Sequence, residues 1–62
     1  MNPRGYTKEN VPVGTKFRSL ADPEVIGVVT ETWYDYGDGV TIEWSNGNKS
    51  NLYILEILNE RA

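Results

Sequence analysis

Sixty-two residues with a net charge of −3, no cysteine and no histidine set firm limits on this chain. They exclude more than one domain, disulfide or thiolate-metal staples, imidazole general bases and thiol nucleophiles, and with them ordinary zinc sites. A chain of this length hides only about 60% of the surface it exposes when unfolded, so packing or self-association must carry its stability, and a homo-oligomer is among the expectations.

Residues 1–10 hold two early breakers, Pro3 and Gly5, and only Tyr6 as a packing residue, which reads as a flexible N-terminal arm ahead of a domain over 11–62. The arm lacks the apolar core of a secretory signal, and no later window approaches the roughly 18 apolar residues of a membrane span, so the expected compartment is the cytoplasm, with no membrane partner. Val11-Pro12-Val13-Gly14 opens the domain. Thr15 to Leu20 alternates, with Phe17 inward between Lys16 and Arg18, and predicts a first strand; Ala21-Asp22-Pro23-Glu24 predicts a loop.

Val25 to Tyr34 is the longest run of β-favouring residues, yet both of its faces carry apolar groups. Ile26, Val28, Thr30, Thr32 and Tyr34 share one face; Val25, Gly27, Val29, Glu31 and Trp33 share the other, as in a strand that bends around a small barrel, with Gly27 the natural bend. Asp35-Tyr36-Gly37-Asp38-Gly39 reads as the next turn. Val40, Ile42 and Trp44 then alternate with Thr41, Glu43 and Ser45, the pattern of a half-buried antiparallel strand, and Asn46-Gly47 predicts a type I′ hairpin turn. The apolar density of Ser50 to Leu58 is too high for clean alternation. It predicts a strand start, one helical turn near Tyr53 to Leu55 and a short last strand at Glu56 to Leu58. Asn48-Lys49-Ser50 matches a glycosylation acceptor and is read as turn composition.

The predicted fold is all-β, a five-stranded small barrel with a core of Val13, Phe17, Ile26, Val28, Val40, Ile42, Leu52, Leu55 and Ile57. The run Val13-Gly14, Gly27-Val28-Val29, Gly39 to Gly47, Tyr53 and Glu56-Ile57-Leu58 resembles the SH3-like barrel families, in particular barrels of the Tudor and mind-bomb ubiquitin ligase type, over roughly residues 12 to 58. The resemblance implies a binder of peptides or nucleic acid rather than an enzyme. Type II dihydrofolate reductases are SH3-like barrels that build one active site at the centre of a tetramer, and their V-Q-I-Y run would fall at Ser50-Asn51-Leu52-Tyr53, which keeps Tyr53 alone. An oligomeric enzyme of that kind is the third reading.

Charge is unevenly spread. Residues 1 to 20 hold Arg4, Lys8, Lys16 and Arg18 against Glu9, whereas residues 21 to 62 hold Lys49 and Arg61 against eight carboxylates. Glu31, Asp35 and Asp38 gather in sequence near one turn and could act as an acid pair or as oxygen ligands for a cation, but the spacing lacks the third ligand and the closing bidentate Glu of a calcium loop, and the aspartates are read as turn formers. Trp33, Tyr34 and Tyr36 alternate with Asp35 and Asp38 at the same hairpin, and consecutive residues cannot all point inward. At least one ring is therefore expected in solvent, beside negative charge, as the contact surface for a protein partner. Lys16 and Arg18 form an alternative, a cationic strip for nucleic acid. The expectation is a non-catalytic binding module with no cofactor, resembling the small accessory proteins of bacteria and phages that occupy a surface on a larger protein.

Overall fold

The computed structural model describes residues 4–62; the first three residues of the expected arm lie outside the described residues. The chain forms a four-stranded antiparallel sheet in the order β1-β2-β3-β4, with β1 at Lys16–Arg18, β2 at Ile26–Tyr34, β3 at Asp38–Trp44 and β4 at Lys49–Tyr53, followed by one turn of 3-10 helix at Ile54–Glu56. The all-β expectation is met. Five strands and a closed barrel are not what the sheet shows, since its four strands are open and the predicted last strand at Glu56 to Leu58 does not form. The chain instead returns to β1 further on. Phe17 and Arg61 make an isolated antiparallel bridge, the Arg18 N–H donates to the Glu60 carbonyl at 2.8 Å, and the Ala62 N–H donates to the Lys16 carbonyl at 3.0 Å.

The two-faced pattern of β2 has a specific cause. Val29 lies opposite Ile42 and Glu31 opposite Thr41, so Thr30 is an extra residue, a bulge in the β2–β3 ladder. Residues directly opposite share a face, and the bulge shifts the phase of β2, so that Gly27 and Val29 are buried before it while Thr32 beyond it lies opposite Val40 and is exposed. The bend is at Thr30 and not at Gly27. Gly27 instead makes room, because a Cβ there would stand 2.5 Å from the Trp44 ring and from the Ile42 side chain, so its bare backbone gives the indole its seat.

The core comprises Val11, Phe17, Val29, Val40, Ile42, Ile54 and Ile57, with Tyr6, Trp44 and Leu52 packed against it. Four expected core residues are placed otherwise. Val13 is 59% exposed because the Thr15 N–H bonds to the Pro12 carbonyl, which puts Val13 and Gly14 at the centre of a β-turn, and Val11 is buried instead. Leu55 is 66% exposed because a 3-10 turn repeats every three residues, aligning Ile54 with Ile57 and rotating Leu55 outward. Ile26 and Val28 are half-buried, ceding the interior to Val29.

The second hairpin also departs from its expected geometry. Trp44 donates to the Asn48 carbonyl at 2.8 Å and accepts from Gly47 at 2.9 Å, enclosing three residues, Ser45, Asn46 and Gly47. Gly47 has φ of +93° while Asn46 stays at negative φ. This is a tight turn followed by one left-handed residue, not a type I′ turn, which needs positive φ at both positions.

Residues 4–10, expected as a loose arm, are tied to the C-terminal segment. The Tyr6 ring meets Phe17 edge-on at 5.4 Å, its hydroxyl donates to the Asn59 carbonyl at 2.9 Å, and the Arg61 guanidinium stands 5.1 Å from the ring centre. Arg61 also donates to the Asn10 carbonyl, and Arg4 donates to the Leu58 carbonyl at 3.0 Å while pairing with Glu60. Asn59, buried, donates to the Arg18 carbonyl at 2.7 Å.

Candidate functional site

The β2–β3 connection consists of Asp35, Tyr36 and Gly37, closed by the Asp35 N–H donating to the Gly37 carbonyl at 3.0 Å. Tyr34 and Asp38, the last and first residues of the flanking strands, lie opposite one another. Four of the residues singled out by sequence are exposed here: Tyr34, Asp35, Tyr36 and Asp38. Trp33 is placed differently. It lies opposite Gly39, and Gly39 lies opposite Tyr53, so the three form a row across β2, β3 and β4. The indole lies over Gly39, where any Cβ would overlap the ring, and meets the Tyr53 ring edge-on at 5.3 Å. Trp33 thus braces the base of the tip and is half-buried.

Tyr36 is the conspicuous residue. Its side chain is 96% exposed and its φ is +60°, the one non-glycine residue at positive φ among those described. For a residue with a Cβ this left-handed conformation costs about 1–2 kcal/mol, and a fully exposed ring returns nothing in packing. The very next residue, Gly37, could adopt the conformation freely, yet the loop assigns it to the tyrosine.

Beside the tip lies a groove of about 830 Å³, walled by the segment Tyr6 to Glu9 on one side, the tip residues Tyr36 to Asp38 on another, and Tyr53 to Glu56 on the third. A smaller hollow of about 480 Å³ adjoins it, sharing Lys8, Glu9, Asp38 and Ile54. The groove enlists residues that the hairpin pattern alone misses. Glu9 arrives from the segment read as an arm, and Tyr53, Leu55 and Glu56 from the end of β4 and the 3-10 turn. Leu55 was legible as an apolar residue, but its exposure depends on the helical phase. Glu56 accepts from the Tyr53 N–H at 3.0 Å and so fixes the start of that turn.

The remaining expected groups do not join this site. Glu31 is exposed in mid-strand opposite Thr41, and no group of three or more acidic side chains able to hold a metal ion occurs among the described residues. Lys16 and Arg18 are exposed on either side of buried Phe17 and pair with Val28 and Ile26. Val28 and Tyr34 are six positions apart along the bulged β2, so at most about 20 Å separates the cationic pair's strand partner from the aromatic tip. No protein-family model, curated protein or solved structure matches this chain. Among the described residues no helix is long and apolar enough to cross a membrane.

Proposed function

We propose that this chain is a non-catalytic binding module that holds a protein partner at the tip of its β2–β3 hairpin, with Tyr34, Asp35, Tyr36 and Asp38 in contact and Trp33 positioning them from beneath. The observation that carries this reading is Tyr36, a large ring displayed to solvent in a backbone conformation that works against the fold. Strain of this kind persists where function holds it, and tyrosine combines contact area with little side-chain entropy to lose. The SH3-like five-stranded barrel is part of the same proposal. Supporting it are the 3-10 turn after β4 and the return of the C-terminal segment to β1 through the Phe17–Arg61 bridge, the two features a fifth strand would extend. A small domain that offers an open groove beside an exposed tip suits the role of an accessory protein that occupies a surface on a larger one.

The test separates fold from binding. Replacing Tyr36 by Asn, which tolerates positive φ, is expected to raise stability by about 0.5–1 kcal/mol while abolishing capture of the partner. A photo-reactive residue at Gly37, which leaves Tyr36 in place, should cross-link that partner and one at Lys49 should not. Retention of capture by Tyr36→Asn, or dependence of capture on Lys16 and Arg18 with loss on nuclease treatment, refutes the proposal.

A further inference from the structure

We infer that the groove beside the hairpin tip receives a lysine or arginine side chain from an extended segment of the partner protein, with Glu9, Asp38 and Glu56 supplying negative charge and Tyr36 and Tyr53 supplying ring surface. The inference rests on the reading of the tip as a protein-contact surface and adds a ligand chemistry and three residues from outside the hairpin.

Size is the first argument. A groove of about 830 Å³ open to solvent suits a few side chains of an extended segment and lies within the range of small-ligand sites. Charge is the second. Three carboxylates and one ammonium, that of Lys8, line it, which disfavours phosphate and acidic peptides and favours cations. The carboxylates are available: neither Glu9 nor Asp38 has an ion-pair partner among the described residues, and Glu56 engages one oxygen with the Tyr53 N–H. The third argument is the lining. Tyr36, Tyr53 and the exposed Leu55 offer apolar surface within reach of those carboxylates. Lysine and arginine are built to match, with a methylene stem that lies along apolar walls and a charged head that seeks a carboxylate or a ring face. Lys8 stands on the same wall and opposes an incoming cation, so its removal should strengthen binding.

A random heptapeptide library panned on the intact chain, with fluorescence anisotropy of the selected synthetic peptides, tests this directly. Selected peptides are expected to share a lysine or arginine beside an apolar residue. Glu9→Gln and Asp38→Asn should each weaken them roughly two- to fivefold, and Lys8→Ala should tighten them, with circular dichroism confirming that each variant remains folded. Replacing the peptide's basic residue by norleucine should cost at least as much as either carboxylate. Selected peptides without a basic residue, or affinities indifferent to Glu9→Gln and Asp38→Asn, overturn the inference; if those same peptides are lost on Tyr36→Asn, the tip still stands as the contact surface. Peptides that need the cation and the carboxylates but ignore Tyr36→Asn support the carboxylates as the cation's seat, and remove Tyr36 from it and the tip from the contact surface. Failure of the library to yield any binder overturns the groove as a peptide site.

Discussion

Gly39 and Trp33 show how a single missing side chain organises the base of the tip. The indole occupies the volume that any Cβ at position 39 would need. Gly39→Ala therefore forces the ring away from Tyr53, and the expected cost is about 1–3 kcal/mol in urea unfolding. In a Trp33→Ala background, which carries its own packing cost, Gly39→Ala should cost much less, because the overlap is then gone; an equal cost in both backgrounds would show that the glycine serves the backbone instead. Tyr36 sits at the other extreme, almost wholly in solvent and held at positive φ. Neither property is written in the residue's identity. The sequence shows that at least one ring of the trio must be outside, while the exposure of both Tyr34 and Tyr36 depends on how a three-residue loop distributes its dihedral angles between strands that pair Tyr34 with Asp38.

At the scale of elements, period-two patterning located the strands well and located their inward faces poorly. β3 kept its predicted inward face, with Val40 and Ile42 buried on either side of Thr41, but it begins at Asp38, so that Asp38 and Gly39, read as turn, belong to the strand. β2 carries apolar groups on both faces, and the bulge at Thr30 that reconciles them leaves no signature in a run of β-branched residues. The 3-10 turn has a similar lesson. An apolar Ile54-Leu55 pair cannot reveal which member is inside until the turn's phase is known, and Ile54→Ala should cost about 2–5 kcal/mol against less than about 0.5 for Leu55→Ala. Thermal unfolding of the two variants checks the assignment. The Ser45-Asn46-Gly47 turn gives a second comparison. Gly47→Ala is expected to cost about 1 kcal/mol or more, because φ is +93° there, and more than Asn46→Ala, which loses only the hydrogen bond from the Asn48 N–H at 3.1 Å. Equal costs would favour the type I′ geometry over the one described.

For the whole molecule, the C-terminal segment is where sequence reasoning fell furthest short. Asn59 to Ala62 is polar and short, with no strand pattern, yet it supplies backbone bonds to both sides of Phe17 and holds Tyr6 through Arg61. Contacts between residues more than 40 positions apart are set by the path of the chain, and local composition carries no trace of them. Removing residues 59–62 deletes at least three backbone-directed hydrogen bonds at about 0.5–1.5 kcal/mol each, together with the Arg61 contacts. For a domain whose total stability is of the order of 5 kcal/mol, the truncated chain should lose its cooperative urea transition. The exposed Arg4–Glu60 pair is a minor contribution beside these, and Glu60→Gln should shift the midpoint only slightly.

The loop of Asp35, Tyr36 and Gly37 is closed by its own hydrogen bond and lends no side chain to the interior. Selection can therefore rewrite these three letters with little effect on the core beneath them, position 36 within the limits that its φ of +60° sets. A lineage of such proteins could diverge quickly in what it grips while its framework stays constant, and an engineer could randomise the same positions to retarget the domain.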